Sequence, residues 1–250
     1  MSSSTKYHLV TEPADKYQQI YSLINSATTT LDMTMYELTD TTAEHDLANA
    51  AARGVTVRVI LDVNREKSHN TTAYNYLNAN GVPTVWAATK YAATHQKTIT
   101  IDDVESAIMS GNLTSQYYAT SRDFAVLDTN LIDVHAIEKV FNADYTGATI
   151  TPGDGDNLTW SPTDSQTSLL SVINSATSTL QVENEEMADP AVTNALVAKA
   201  KAGVGVKITM TANSSYDSAF DQLKAAGAQI HLYPNNSTAL YIHAKVILDV

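Results

Sequence analysis

Apolar residues recur along this chain with two alternating periods. Across residues 15–28, Tyr17, Ile20, Tyr21 and Ile24 fall at i, i+3, i+4 and i+7, the spacing of an amphipathic helix. Leu31, Met33 and Met35 then alternate with polar residues, which predicts a strand. Thr41-x-x-Glu44 has the form of a capping box, and the helix it opens is expected to end at Gly54 in a left-handed cap. The β-branched run from Val55 to Val63 reads as a strand buried on both faces. A further helix near 71–80 should end at Gly81, with a short strand over 84–88. Leu131, Val134, Ile137 and Phe141 give residues 131–142 helical spacing, closing this first block. Helix and strand in alternation, joined by right-handed crossovers, predict an α/β fold with a largely parallel sheet.

The pattern then repeats. A shift of 149 residues places Pro13 on Pro162, Asp15 on Asp164, and Ile24-Asn25-Ser26-Ala27-Thr28 on Ile173-Asn174-Ser175-Ala176-Thr177. Leu31 meets Leu180, Asp40 meets Asp189, and Gly54-Val55 meets Gly203-Val204, without a gap as far as Asn64 and Asn213. Beyond a slip of a few residues, Leu77 and Gly81 match Leu223 and Gly227. So long a period marks a duplicated domain rather than a solenoid unit. The expected organisation is a first half over residues 1–147, a linker over 148–166 rich in turn residues (Thr151-Pro152-Gly153-Asp154-Gly155-Asp156), and a second half over 167–250. The fold class expected is α/β: two pseudo-symmetric βα repeats, each a mostly parallel sheet flanked by helices, packed into one bilobal unit.

Composition narrows the chemistry. The absence of cysteine excludes disulfides, thiolate metal sites and a cysteine nucleophile. A formal charge of −12 argues against nucleic acid as partner, since that binding relies on Lys and Arg neutralising phosphates. No apolar run is long enough to cross a membrane, so at most transient contact with a membrane surface is expected. Residues 1–6 lack an apolar segment of the signal-peptide kind. Abundant Ser, Thr, Asn and Tyr with little Lys nonetheless suggests a secreted or periplasmic protein, its signal peptide absent from this chain.

The candidate chemistry lies in two matching triplets, His95-Gln96-Lys97 and His243-Ala244-Lys245, each closing one copy of the repeat. Histidine and lysine two apart share one face of a strand. Such a face suits a phosphoryl group: the lysine neutralises oxygens, and the histidine attacks phosphorus or protonates a leaving oxygen. Asp102 lies seven residues from His95, so on a regular strand it faces away, and a place at the strand end is expected. No His-x3-His or Asp-x-Asp pattern accompanies these residues, and neither metal nor cofactor is called for.

His95-x-Lys97-x4-Asp102, duplicated in part by His243-x-Lys245, resembles the hallmark of the phospholipase D superfamily, in particular its bacterial secreted members. Met109-Ser110-Gly111-Asn112-Leu113-Thr114 lies where that family carries its Gly/Ser-x-Asn segment, and Arg122-Asp123-Phe124-Ala125-Val126 where it has an Asn-x-Glu strand. Tyr36-Glu37-Leu38 and Gly54-Val55-x-Val57-Arg58-Val59 are also similar, so the likeness runs through essentially the whole chain. The resemblance implies a phosphodiester hydrolase acting on a phospholipid head group or another phosphodiester, with transphosphatidylation when an alcohol replaces water. It further implies that His95 attacks phosphorus to form a phosphohistidine while His243 protonates the leaving alcohol. Lys97, Lys245 and Asn112 would bind phosphoryl oxygens, and Asp102 would orient and charge-stabilise an imidazole. Asp123 would stand for the acid of the following strand. A nuclease using the same residues, or a non-catalytic fragment that keeps the fold, are the alternatives. The second copy departs from the pattern: position 250 is Val, with Asp249 one residue early. About fifty residues follow His95 before the linker, so the second half is expected to be short by a similar length. The other histidines (His8, His45, His69, His135 and His231) match no partner pattern. The tyrosines Tyr74, Tyr76, Tyr91, Tyr117 and Tyr118 are expected mainly to pack.

Overall fold

The computed structural model describes residues 5–250; the first four residues of the N-terminal segment read above for a signal lie outside the described residues. The chain forms two compact units. One comprises the residues up to Ala119 together with Phe124–Leu158, and the other Thr120–Asp123 with Thr159–Val250.

In the first unit the order is β1 (Tyr7–Glu12), α1 (Gln18–Ser26), β2 (Thr30–Met35), α2 (Thr41–Ala52), β3 (Thr56–Leu61), α3 (Lys67–Ala79), β4 (Thr84–Trp86), β5 (Thr98–Ile101), β6 (Glu105–Met109), β7 (Ser121–Asp128, its residues up to Asp123 belonging to the second unit) and α4 (Leu131–Thr146). Its sheet runs β1-β7-β6-β5-β2-β3-β4. The β2-β3-β4 part is parallel, whereas β5, β6 and β7 continue it in antiparallel fashion. Leu31, Met33, Met35, Val57, Val59 and Leu61 are buried on one face, and Asp32, Thr34 and Ile60 on the other, so both faces of the parallel part are covered. Each such side chain contributes about 1.5–3 kcal/mol when fully removed from water. Helix α1 buries Ile20 and Ile24 of the predicted stripe together with Leu23, while Tyr21 is half-buried.

In the second unit the order is α5 (Ser165–Ser175), β8 (Thr179–Asn184), α6 (Pro190–Lys201), β9 (Gly205–Thr211), α7 (Asp217–Ala225), β10 (Gln229–Tyr233), β11 (Tyr241–Ile242) and β12 (Lys245–Asp249). The sheet order β10-β9-β8-β12, parallel except for β12, repeats β4-β3-β2-β5 of the first unit. Its core gathers Leu180, Val182, Leu196, Val206, Ile208, Met210, Phe220 and Leu223. The α/β class with parallel strands flanked by helices is the observed one.

One local expectation changes. Thr41 does not cap α2: the N-cap is Asp40, whose Oδ1 accepts from the amides of Thr42 (2.9 Å) and Ala43 (3.5 Å). A carboxylate one residue earlier offers a charged acceptor to the helix N-terminus, and the hydroxyl of Thr41 is not needed there. Its counterpart Asp189 caps α6 in the same way, on Ala191 and Val192. Asp40 also accepts from the hydroxyls of Tyr21 (2.5 Å) and Tyr118 (2.8 Å). Gly54 and Gly203 follow their helices at φ 96 and 91, the left-handed ends that the pattern predicts.

Candidate active site

The two His-x-Lys triplets sit at equivalent points, each entering the strand that lies antiparallel to the first parallel strand of its unit. Lys97 extends β5, its carbonyl accepting from Met109 at 2.9 Å, while Lys245 opens β12 opposite Asn184. In both copies the lysine Nζ donates to the carbonyl of the histidine two residues back, at 2.7 Å for Lys97–His95 and 2.5 Å for Lys245–His243. That bond turns each ammonium toward its own histidine.

Around the first triplet the environment is aromatic. The rings of Tyr36 and His95 meet edge to face at 4.4 Å, and Lys97 Nζ lies 4.8 Å from the centre of the Tyr36 ring, within cation–π range. Lys97 is buried and His95 exposed. Burial, and then a hydrogen bond and charge from Glu66, push the Tyr36 phenol above its usual range. Glu66 also meets His69 Nδ1 at 2.6 Å, with Glu37 at 3.6 Å from the same nitrogen. Among the described residues this is the trio of His and carboxylate groups whose ligand atoms lie close enough, within 4.8 Å, to hold a metal ion.

The second triplet lies among carboxylates. His243 Nδ1 is 2.8 Å from Asp123 Oδ1, and Asp123 Oδ2 accepts from Ser121 Oγ at 2.7 Å. A carboxylate only accepts, so the Nδ1 proton sits on the imidazole and Nε2 is the nitrogen left for chemistry. β11 sets up this contact: Tyr241 and Ile242 pair in parallel with Ser121 and Arg122, and the His243 amide donates to the Arg122 carbonyl at 3.1 Å. Glu185 then takes Lys245 Nζ at 2.9 Å and the Tyr241 hydroxyl at 2.9 Å, and lies 3.6 Å from His243 Nε2. Its burial raises the carboxyl pKa, but the charges of His243 and Lys245 and the two hydrogen bonds outweigh that and hold it below the usual range.

Asp102 turns its carboxylate to the residues that open β2. It ends β5, beyond four strand residues, roughly 20 Å of extended chain from His95. Its carboxylate accepts from the amides of Thr28, Thr29 and Thr30 and the hydroxyls of Thr28 and Thr29, at 2.7–3.2 Å. Partial burial alone would raise its pKa, yet the hydrogen bonds from Thr30, Thr28 and Thr29 keep it far below the carboxylate range. Held in this way, Asp102 anchors the start of β2. In the second unit the Val250 backbone does this work, with the Thr179 amide and hydroxyl both bonded to its carbonyl. Among the described residues Asp249 accepts from Ser175 Oγ, at 3.2 Å.

Asn112 lies in the turn after β6, next to Leu113, which bridges Leu38; its buried Oδ1 has no hydrogen-bond partner among the described residues. Tyr74 stacks on Trp86 (4.3 Å) and Tyr118 on Tyr17 (3.7 Å), so these tyrosines pack as expected. Sequence reasoning singled out neither Glu185 nor Tyr36 as a site residue. The 149-residue register held the signal, because it places position 185 on position 36, the residue that follows the first parallel strand in each copy.

With this geometry in place, the comparisons identify the class. The family described as cardiolipin synthase, PLD-like domain, matches residues 20–145, half of the chain. The chain belongs to the phospholipase D superfamily, whose members are phosphodiester-transferring enzymes. Among solved structures, phosphatidylserine synthase from Haemophilus influenzae superposes with a TM-score of 0.73 at 11% identity, over 98% of this chain and 76% of that one. Nuc, a phospholipase D family member from Salmonella typhimurium, gives 0.52 at 22% identity, over 59% of this chain and 98% of its own. Polyphosphate kinase from Porphyromonas gingivalis gives 0.65 at 14%, over 95% of this chain and 42% of that one. At these identities the likeness is one of fold. A search of curated proteins returns no match. Among the described residues no helix is long and apolar enough to cross a membrane.

Proposed function

We propose that this chain is a phospholipase D-type phosphodiesterase working through a phosphohistidine. His95 attacks phosphorus, and the bond to the leaving alcohol breaks as His243 gives its Nε2 proton to the departing oxygen. His243 then takes a proton from water or an acceptor alcohol, whose oxygen attacks phosphorus and releases His95. Lys97, Lys245 and Asn112 bind the phosphoryl oxygens. Supporting this reading above all is the Asp123–His243 contact of 2.8 Å, which fixes the tautomer that leaves Nε2 for proton transfer. A phospholipid substrate, reached from a membrane surface, agrees better with a charge of −12 than a nucleic acid does. The chain's two halves are residues 1–147 and 167–250, joined by 148–166, and its setting is secreted or periplasmic.

Hydrolysis of bis(p-nitrophenyl) phosphate by the wild-type chain and by His95→Ala and His243→Ala tests this. Turnover that both substitutions abolish is the expected result; turnover that survives both refutes the mechanism. Repeating the assay with phospholipid vesicles and with DNA across a salt series separates the substrates, since nucleic-acid binding weakens steeply with salt.

A further inference from the structure

We propose that Glu185 is a positioning residue that stands in the place of phosphoryl oxygens at the second triplet and must yield Lys245 and His243 when substrate arrives. This rests on the reading above, in which those two groups meet the phosphoryl group. The observations lie within one unit. One Glu185 oxygen sits 2.9 Å from Lys245 Nζ and 3.6 Å from His243 Nε2, while the other is held by the Tyr241 hydroxyl at 2.9 Å. An anion that bridges a lysine ammonium and an imidazole nitrogen makes the contacts a phosphate oxygen would make. The Glu185 amide donates to the Ala244 carbonyl at 3.0 Å, so its backbone is fastened beside the triplet and the side chain alone must turn away. The corresponding residue of the first half is Tyr36, which carries no charge and presents its ring to Lys97.

Two consequences separate this from a merely structural role. First, with the carboxylate present, an incoming phosphate competes with a tethered anion, so its affinity for Lys245 is held down. Glu185→Gln keeps the size and the hydrogen-bonding capacity toward Tyr241 but removes the charge. Second, the tethered anion keeps Lys245 and His243 gathered before substrate binds, so removing its charge, while it ends the competition and tightens ground-state binding, should not raise turnover.

The experiment is binding of inorganic phosphate to the full chain by isothermal titration calorimetry, for wild type, Glu185→Gln, Glu185→Asp, Lys245→Ala and the Glu185→Gln/Lys245→Ala double variant. Thermal melting confirms that each is folded. Expected is a rise in phosphate affinity of about tenfold for Glu185→Gln, a smaller change for Glu185→Asp, and loss of the gain in the double variant. With bis(p-nitrophenyl) phosphate, KM should fall in Glu185→Gln while kcat does not rise. If Lys245→Ala weakens binding but Glu185→Gln leaves it unchanged or weaker, the displacement idea is overturned and the proposed function stands. If folded Lys245→Ala binds phosphate as wild type does, the phosphate-binding part of the proposed function fails, and this inference with it.

Discussion

The two His-x-Lys triplets share a backbone plan and differ in the side chain that faces them. Both enter the strand beside the first parallel strand of their unit, and both lysines bond the carbonyl of their own histidine. Around Lys97 stands the ring of Tyr36; around Lys245 stands the carboxylate of Glu185. The difference teaches that duplication preserved the geometry of the strand ends and left the electrostatics free to diverge. In the proposed chemistry that divergence has a use. A histidine that must attack phosphorus is served by an aromatic neighbour and its own lysine, and one that must carry a proton is served by carboxylate partners.

The hardest test of this division of labour is to remove each histidine in turn. His95→Ala and His243→Ala should each lower kcat on bis(p-nitrophenyl) phosphate by about a thousandfold or more. Trapping with a labelled diester should distinguish them: His243→Ala still accumulates a phosphohistidine, and His95→Ala does not. Equal labelling of both variants would abolish the asymmetry. A milder cut is Asp123→Asn, which preserves shape but removes the charge and can turn an amide N–H toward Nδ1, so the imidazole tautomer is no longer fixed. It should lower kcat about a hundredfold with little change in KM, and a wild-type rate would deprive Asp123 of its role.

Two smaller effects concern the scaffold and the aromatic contact. Asp102→Ala should cost about 2 kcal/mol in urea unfolding, from lost hydrogen bonds to a charged group and from alanine at φ 53, without changing kcat. Asp249→Ala, with one hydrogen bond at stake, should cost about 0.5 kcal/mol or less. The Asp102 contribution has a definite pH dependence. Its folded pKa is depressed, so the stabilisation is complete above the unfolded value near 3.9 and is lost as pH falls toward the folded one. The stability gap between wild type and Asp102→Ala should therefore narrow as pH is lowered below about 4, to the part set by alanine at φ 53. Smallest of all, Tyr36→Leu should weaken phosphate binding about threefold, the size of a half-exposed cation–π contact. An unchanged affinity would remove the ring from the comparison.

Much of the architecture was legible because it rests on local rules. The β-branched runs, the glycines after helices and the 149-residue register all point the same way, and each unit obeys them. The β5–β6 hairpin was harder to read. Thr98-Ile99-Thr100-Ile101 alternates, but its turn uses Asp102 and Asp103 in the left-handed region, at φ 53 and 56, where glycine or asparagine would have signalled it. The α2 cap was misplaced by one residue because Thr41-x-x-Glu44 satisfies a motif that Asp40 makes redundant. At the site, the histidines and lysines announce themselves by repetition. Glu185 and Tyr36 do not, because their significance lies in what they touch across strands rather than in any spacing along the chain. Asp102 shows the converse: its spacing is that of the motif, while its partners lie more than seventy residues away in sequence.

The clasp of Asp102 on Thr28–Thr30 also bears on how such sequences can be recombined. The stretch from His95 to Met109 carries histidine and lysine as a transferable cassette, but its far end is fastened to a threonine run that precedes β2. A chimera that imports the cassette without those threonines would inherit the reactive groups on a loosely tied hairpin. One that imports both would carry the tether along with the reagents. For grafting, the working unit is therefore two separated segments, and a search for donors should score them together.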